Sequence, residues 1–172
     1  MKVNEILVVE DNNTMRLGIT ESLKREGYIV YDFSSGPDAV KSFMRNRVPF
    51  AVIDLKMEPI DGLEVLRLLK EAEPQLEVLM ISAFGTVDDA VKAIRMGASD
   101  FLTKPFSPDE LRIRVNNIFE KINARKNLEI LKEENRILKE ELYTGYDEII
   151  GTSGPIKKVF SVIEQVAGRD ST

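Results

Sequence analysis

Side chains that could carry out phosphate or metal chemistry stand where the short apolar runs of this sequence end. Glu10 and Asp11 follow the run ILVV, Asp54 ends FAVID, Ser82 follows VLMI, and Lys104 comes two residues after DFL. A single aspartate in such a place is often a helix cap. Here four of five apolar runs deliver a polar group at the same relative position. We therefore interpret these side chains as one site rather than as separate caps.

The residue types in this set suit a phosphate group and a hard cation. Three carboxylates brought together repel one another, so at least one pKa should rise unless a cation lies between them. Oxygen ligands favour Mg²⁺, because water and phosphate oxygens complete its coordination. Lys104 and Ser82 would contact phosphate oxygens. Asp54 needs no general base, since a carboxylate is already ionised, and it could form an aspartyl phosphate.

The apolar runs and the helix patterns between them would bring these side chains to one edge of a sheet. From residue 3 to about residue 120, five runs alternate with helical segments: residues 6–9, 28–33, 50–53, 78–81 and 100–102. Three runs are continuously apolar, as is typical of parallel strands covered on both faces. The sequence therefore predicts an α/β fold, a doubly wound (βα)5 domain with a parallel five-stranded sheet. Ligands of such sheets bind outside the carboxyl ends of the strands.

Apolar periodicity and helix-end residues support the helical segments. Stripes at helical spacing comprise Leu63, Leu66 and Leu69 in one segment and Val87, Ala90, Val91 and Ile94 in another. Pro37 would lie in the first turn of the second helix, where its missing N–H costs nothing. Gly27 and Gly97 would end the first and fourth helices.

Composition excludes several classes of function. The net charge is −5 and there is no basic block, so this chain is a poor candidate for binding DNA through its phosphates. It contains no cysteine and no histidine, which removes disulfides, thiolate chemistry, the usual zinc ligands and phosphohistidine chemistry on this chain. The amino-terminal apolar run is too short for a signal peptide or a membrane span. We expect a cytoplasmic protein with no membrane partner.

Taken together, the motifs VVED, VIDLKM with a following DG, MISA and KPF resemble the receiver domain of bacterial response regulators across residues 3–121. The resemblance implies a flavodoxin-like fold in which a sensor histidine kinase phosphorylates Asp54. It also implies Mg²⁺ ligands, phosphate contacts and a rotameric switch. These roles would fall to Glu10, Asp11, Asp54 and the backbone carbonyl of Lys56 for Mg²⁺, to Ser82 and Lys104 for the phosphoryl group, and to Phe101 for the switch.

The loop after Asp54 departs from the family pattern. It has the sequence MEPIDG, in which Glu58 takes the place of a proline common in the family and Pro59 follows. The loop has its usual length up to Gly62, so we expect changed loop detail and an intact site. The resemblance also implies a cis peptide bond before Pro105.

The last helix of the predicted domain continues into a segment with coiled-coil spacing. No glycine or proline occurs from Leu111 to Leu142, and a 3-4-3-4 pattern predicts the seam of a homodimer: Leu128, Leu131, Asn135, Leu138 and Leu142. Asn135 would occupy an a position, where asparagine fixes register and favours two strands. Glu134 at g and Lys139 at the next e position would pair across the seam. The alternative is a single solvated helix packed on its own domain.

An upstream stripe on the same helix is out of step with this seam, which predicts a stutter near residues 124–127. That stripe comprises Leu111, Val115, Ile118 and Ile122. We therefore predict a receiver domain over 1–121 and a coiled-coil dimerisation linker over 122–144.

The remaining residues, 145–172, are similar to the opening of the AAA+ ATPase module of sigma-54-dependent activators, the NtrC family. Gly145 would end the long helix. An amphipathic helix with Pro155 in its first turn would follow the turn GTSGP, with an apolar face of Ile156, Val159, Phe160, Ile163 and Val166. No G-x-x-x-x-G-K-[ST] motif occurs, so we do not expect this chain to bind ATP. We expect a fragment of a longer protein that binds ATP, sigma-54 RNA polymerase and DNA through other regions.

These observations predict the regulatory part of a sigma-54-dependent activator, in which phosphorylation of Asp54 controls ATPase assembly through a dimeric linker. The chain itself would not be an enzyme beyond Mg²⁺-dependent self-phosphorylation from a donor. One alternative is a haloacid-dehalogenase-like phosphotransferase with Asp11 as nucleophile, but EDNNTM lacks the second aspartate of that motif. Another alternative is a dimerisation scaffold that is not phosphorylated. The presence of all five residues of the predicted phosphorylation site argues against it: Glu10, Asp11, Asp54, Ser82 and Lys104. The sequence leaves open whether phosphorylation makes or breaks the dimer.

Overall fold

The computed structural model describes residues 4–83, 86–147 and 158. Within these residues, five strands alternate with five helices, as predicted. The strands are β1 (Glu5–Val9), β2 (Ile29–Phe33), β3 (Phe50–Asp54), β4 (Glu77–Ser82) and β5 (Asp100–Thr103). The helices are α1 (Asn13–Arg25), α2 (Gly36–Arg45), α3 (Gly62–Ala72), α4 (Val87–Arg95) and α5 (Pro108–Asp147).

The strands form one parallel sheet in the order β2-β1-β3-β4-β5. The chain reverses its direction of winding between β1 and β3, which makes the carboxyl ends of these two strands the topological switch point. β3 and β4 are buried along their whole length, as expected for strands covered on both faces. The edge strand β2 is largely exposed.

Two hydrophobic cores lie on opposite faces of the sheet. In β1, Leu7 and Val9 belong to one core and Ile6 and Val8 to the other, because successive side chains of a strand point to opposite faces. Residues of α2, α3 and α4 close the first core, and residues of α1 and α5 close the second. This arrangement is the doubly wound fold predicted from the sequence.

Helix boundaries follow local signals that the sequence contains. The side chain of Asp61 caps α3 by accepting a hydrogen bond from the backbone of Glu64 at 2.8 Å. Gly27 and Gly97, predicted to end α1 and α4, have φ angles of 87° and 98°. Side chains with a Cβ rarely adopt this left-handed conformation, so glycine is the residue that fits there.

α4 forms as its periodicity predicts, but its apolar stripe is not covered by the core. Val87 is 79% exposed, and Val91 and Ile94 are also exposed. Ala93 is the buried residue of this helix. Periodicity therefore identified the helix correctly, while it carried no information about what covers the apolar face.

The first part of α5 packs on the sheet through the stripe predicted for it, and Leu111, Val115, Ile118 and Ile122 are all buried. Phe119 stacks on Tyr28 with 4.7 Å between the ring centroids. The Tyr28 hydroxyl donates a hydrogen bond to Asn116 at 3.0 Å. These contacts attach α5 to the face of the sheet that α1 also covers.

A buried glutamate at the beginning of β4 binds two cations of α5. Oε2 of Glu77 lies 3.0 Å from Nζ of Lys121, and Oε1 lies 3.1 Å from Nη1 of Arg125. The Ser99 hydroxyl donates a hydrogen bond to the same carboxylate. Burial raises the pKa of Glu77, but the hydrogen bonds from Ser99 and Lys121 outweigh it and hold the pKa below its usual value. This cluster fastens α5 to the amino-terminal end of β4.

The chain divides into two compact units, Met1–Lys126 and Asn127–Thr172. In the second unit, Leu128, Leu131 and Leu138, which are predicted to form the seam, are between 52% and 56% exposed. Asn135 donates a hydrogen bond to the Leu131 carbonyl at 3.1 Å within the helix. The side chain of Leu142 lies outside the described residues.

Gly145 was predicted to end the long helix, and this prediction is wrong because α5 continues to Asp147. An interior glycine costs a helix about 1 kcal/mol relative to alanine and does not by itself break it. The predicted turn and second helix of residues 148–172 lie outside the described residues, apart from Lys158. Among the residues that are described, no helix has the length and hydropathy needed to cross a membrane.

Candidate functional site

The carboxyl ends of four strands bring the predicted site residues to one edge of the sheet. Asp54 is the last residue of β3, and Glu10 and Asp11 follow β1, its neighbour in the sheet. Ser82 is the last residue of β4, and Lys104 follows β5. The backbone N–H of Lys104 donates to the Ser82 carbonyl at 2.7 Å, which extends the pairing of these two strands into the site.

The three carboxylates form one cluster. Oxygen atoms of Glu10, Asp11 and Asp54 all lie within 4.8 Å of one another. Glu10 is 1% exposed and Asp54 is 4% exposed, whereas Asp11 lies at the surface. A cation entering from solvent would therefore meet Asp11 before it reached the two buried carboxylates.

Lys104 lies between the two buried carboxylates. Its Nζ is 2.6 Å from Oε2 of Glu10 and 2.7 Å from Oδ1 of Asp54. Burial and the neighbouring Asp54 raise the pKa of Glu10, and the hydrogen bond from Lys104 offsets only part of this rise. The pKa of Glu10 therefore rises mainly because the group is buried, and crowding by Asp54 is a smaller cause. Burial alone would lower the pKa of Lys104, but its hydrogen bonds to Asp54 and Glu10 raise it.

The loop after Asp54 folds back closely on the end of β3. The backbone N–H of Lys56 donates to Oδ2 of Asp54 at 3.2 Å, and Gly62 N–H donates to the Leu55 carbonyl at 2.9 Å. A Cβ on Gly62 would lie 2.0 Å from the Asp54 carbonyl oxygen, so only glycine fits. The peptide bond between Glu58 and Pro59 is cis.

Two further predicted residues lie on neighbouring strands, Ser82 at the end of β4 and Phe101 in β5. Ser82 is fully buried, and Phe101 is partly buried against the core that α2, α3 and α4 close. The Lys104–Pro105 peptide bond is cis, as the family resemblance implied. The roles of Ser82, of Phe101 and of the Lys56 carbonyl stay predictions.

The set of ligands suits a magnesium ion. It offers three carboxylates and contains neither nitrogen nor sulfur ligands, which is the preference of a hard divalent cation. One carboxylate is exposed and two are buried, so a bound ion could keep water on its open side. This donor chemistry fits Mg²⁺, and Glu10, Asp11 and Asp54 are the side chains that would hold it.

Arg16 and Asp32 lie next to the acidic loop and were not predicted from the sequence. Nη1 of Arg16 donates to the Glu10 carbonyl at 2.8 Å, and Nε lies 3.3 Å from Asp32. One signal was present in the sequence: an arginine in the first turn of a helix opposes the helix dipole and implies a specific partner. The partner itself could not be identified from spacing.

Comparisons with known proteins agree with this geometry. Residues 6–116 match the family of the response regulator receiver domain. Regulatory protein LuxO of Vibrio cholerae is 34% identical over 133 residues, which cover 77% of this chain and 27% of LuxO. The alginate biosynthesis transcriptional regulatory protein AlgB of Pseudomonas aeruginosa is 31% identical over 172 residues, which cover 99% of this chain and 36% of AlgB. Among solved structures, the beryllofluoride-activated NtrC4 receiver domain dimer matches with a TM-score of 0.66 and 33% identity. The match covers 69% of this chain and 98% of the NtrC4 chain.

The parallel sheet and the acidic site at its carboxyl edge are those of a regulatory phosphoacceptor. The chain belongs to the response regulator receiver domain family, and its first 116 residues contain the receiver domain of a two-component response regulator. This assignment decides against the haloacid-dehalogenase alternative. The chain spans between 27% and 36% of the length of LuxO and AlgB.

Proposed function

We propose that Asp54 is the phosphoacceptor of this receiver and that a sensor histidine kinase is the donor. The observation that carries the proposal is the arrangement of charges at the end of β3. Asp54 lies within 4.8 Å of two further carboxylates, and its Oδ1 is 2.7 Å from Lys104. The site thus places a buried nucleophile, Asp54, beside the cation of Lys104 and beside carboxylates that could bind a divalent metal ion.

In the proposed step, a carboxylate oxygen of Asp54 attacks the phosphorus of a phosphohistidine on the kinase. The new O–P bond forms while the N–P bond breaks, and the imidazole leaves with the bonding electrons and takes up a proton from solvent. Lys104 lies close enough to Asp54 to contact the transferred phosphoryl group, and Ser82, at the end of the neighbouring strand, would contact another of its oxygens. Because Lys104 also binds Glu10, it would have to leave that carboxylate when Mg²⁺ binds there, before the phosphoryl group arrives.

When bound, Mg²⁺ would neutralise the charge of the incoming phosphoryl group. Glu10, Asp11 and Asp54 would hold it, with the Lys56 carbonyl as a further ligand. Lys56 already lies against Asp54 through its N–H, which supports a position of this residue at the rim of the site. The requirement for the ion follows from charge, since an anion otherwise approaches three carboxylates with one lysine among them.

Phosphorylation by a small donor tests the proposal. Purified protein is incubated with acetyl phosphate with and without Mg²⁺, and incorporation of phosphate is measured by intact mass. We expect one phosphate, dependent on Mg²⁺ and lost in Asp54→Asn, while Asp38→Asn, an exposed aspartate on α2, behaves as the wild type. Phosphate on Asp54→Asn would contradict the assignment. A wild type that accepts no phosphate from either acetyl phosphate or a kinase would favour the scaffold alternative.

We also propose that residues 122–144 form a dimerisation linker through Leu128, Leu131, Asn135, Leu138 and Leu142, following a receiver domain of residues 1–121. The half-exposed leucines support this, because a second copy would cover them. The similar NtrC4 receiver was solved as a dimer. We further propose that residues 145–172 open an AAA+ module of a sigma-54-dependent activator. In the full-length protein, phosphorylation would then control assembly of an ATPase that acts on sigma-54 RNA polymerase at DNA.

A further inference from the structure

Arg16, on the first turn of α1, binds the backbone of the acidic loop rather than its carboxylates. Nη1 donates to the Glu10 carbonyl at 2.8 Å and to the Asp11 carbonyl at 3.4 Å. Nη2 donates to the side chain of Asn13 at 2.8 Å, and Nε lies 3.3 Å from Oδ2 of Asp32. One guanidinium therefore joins both acidic residues, the start of α1 and strand β2.

This arginine is mostly withdrawn from solvent, with 14% of its side chain exposed. Its position is unfavourable in two respects, because it places a cation near the positive end of the α1 dipole and near a site that would bind a divalent cation. Asp32 offsets the charge of Arg16, so the pair holds the backbone of the acidic loop in place while adding little net charge. Planar, forked N–H donors suit this task better than a lysine ammonium would.

We propose that Arg16, with Asp32 as its counterion, is a positioning residue that presets Glu10 and Asp11 for the divalent cation. The inference rests on the metal site of the proposed function. With the two carbonyls fixed, the backbone of the acidic loop cannot rotate freely, and the carboxylates of Glu10 and Asp11 stay close to that of Asp54. Without Arg16, the loop would have to be ordered each time the ion binds, which weakens binding.

Direct binding of metal provides the first test. Mg²⁺ is titrated by calorimetry into the wild type, Arg16→Gln, Arg16→Lys and Asp32→Asn. Residues that orient metal ligands typically change affinity by about 10-fold to 100-fold when replaced, so we expect the dissociation constant of Arg16→Gln to rise by about 10-fold or more. Arg16→Lys should raise the Mg²⁺ dissociation constant less than Arg16→Gln does, but still above that of the wild type, because a lysine cannot bind both carbonyls and Asp32 together. Arg25→Gln, an exposed arginine at the end of the same helix, should bind Mg²⁺ as the wild type does.

The second test separates positioning from general damage to the fold. The rate of phosphorylation by acetyl phosphate is measured as a function of Mg²⁺ concentration. For Arg16→Gln and Asp32→Asn, the half-saturating Mg²⁺ concentration should rise while the maximal rate at saturating Mg²⁺ stays within about twofold of the wild type. A structural defect alone would lower the maximal rate and leave the half-saturating concentration in place.

Two results would overturn the inference. One is an unchanged Mg²⁺ dissociation constant in Arg16→Gln, and the other is a fall in maximal rate with no change in Mg²⁺ dependence. Failure of the proposed function would appear differently, as an absence of Mg²⁺ binding by the wild type. Circular dichroism of each variant confirms that it is folded before the titrations are compared.

Discussion

Gly62, where the loop returns to the site, has the least room for a Cβ among the glycines that the structure describes. An alanine Cβ at this position would lie 2.0 Å from the backbone oxygen of Asp54 and 2.9 Å from Cα of Leu55. Neither neighbour is a flexible side-chain end, so the strand that carries Asp54 would have to move. A small substitution here therefore affects stability and the phosphoacceptor together.

We predict that Gly62→Ala lowers the free energy of unfolding by about 3 kcal/mol, at the upper end of costs for overpacking, and slows phosphorylation of Asp54. The matched control is Gly18→Ala in the interior of α1, where a Cβ meets no atom within 4 Å. That change should raise stability by about 0.5–1 kcal/mol, because alanine is the better helix residue. Urea unfolding checks both values, and equal effects of the two substitutions would refute the steric argument.

The candidate site was predictable where its residues follow strands and not where they bind across the fold. Asp54 and Lys104 follow apolar runs, and parallel strands bring such positions to one edge. The contacts of Arg16 with the acidic loop and Asp32 were not predictable, since single charges have no periodicity and β2 comes later in the chain. Sequence patterns therefore identify the residues that follow each strand. Ion pairs between residues of different elements depend on how those elements pack.

The carboxylate of Glu77 strengthens the attachment of α5 at the amino-terminal end of β4. Lys121 and Arg125 both bind it, although they lie more than forty residues later in the chain. Because its pKa is lowered in the folded protein, Glu77 binds protons more weakly folded than unfolded. The stability this provides is present above the pKa of glutamate in the unfolded chain. It is lost as pH falls through the lowered folded pKa.

We predict that Glu77→Gln lowers the free energy of unfolding at neutral pH by about 1.5–3 kcal/mol, the range for hydrogen bonds to charged groups. The difference between wild type and variant should shrink as the solution is acidified below the ordinary glutamate pKa. Urea unfolding over a series of pH values measures it. Glu21→Gln, at an exposed position of α1, is the control and should show no such convergence. A constant gap at all pH values would mean that the charge of Glu77 is not what stabilises the contact.

Asn135 is the residue of the proposed linker at which the coiled-coil seam can be tested. At an a position, asparagine lowers the stability of a coiled coil and favours the two-stranded form. Asn135→Leu should therefore raise thermal stability of the assembly and allow orders above two in sedimentation equilibrium. Glu129→Leu adds the same side chain at a b position and should change neither property. Unchanged order and stability in Asn135→Leu would show that the seam lies elsewhere.

Elements with strong local signals were predicted well, and their surroundings less well. The continuous apolar runs of β3 and β4 became buried strands, and Gly27 and Gly97 ended their helices. The apolar stripe of α4 was visible in the sequence, yet Val87 lies in solvent. Gly145 failed as a helix end because glycine lowers helix stability without imposing a turn.

We predict that phosphorylation of Asp54 changes the proposed dimer. A phosphoryl group on Asp54 should draw in Ser82 and Lys104 and let Phe101 turn inward, which alters the surface made by α4, β5 and α5. A dimer that packs on this surface must respond in its geometry or its dissociation constant, since a ligand shifts an equilibrium by its difference in affinity for the two states. We expect the unphosphorylated dimer to be the form that holds the two ATPase modules of the full-length protein in an inactive pair.

Sedimentation velocity and small-angle scattering, with and without beryllofluoride as a phosphoryl mimic, measure this response. Asp54→Asn is the control, because it should bind no mimic and show no change. Identical mass, shape and dimer affinity in the two states would make the linker a passive connection and would contradict the proposed coupling.

The stack of Tyr28 on Phe119 has a practical consequence for observing this protein. The sequence contains no tryptophan and four tyrosines. Replacing Tyr31, Tyr143 and Tyr146 with phenylalanine would leave Tyr28 as the only source of ultraviolet emission above the phenylalanine band. Its ring lies 4.7 Å from a residue of α5, so its fluorescence yield should change when that helix separates from the sheet. The docking of α5 could then be timed by stopped flow without attaching a dye.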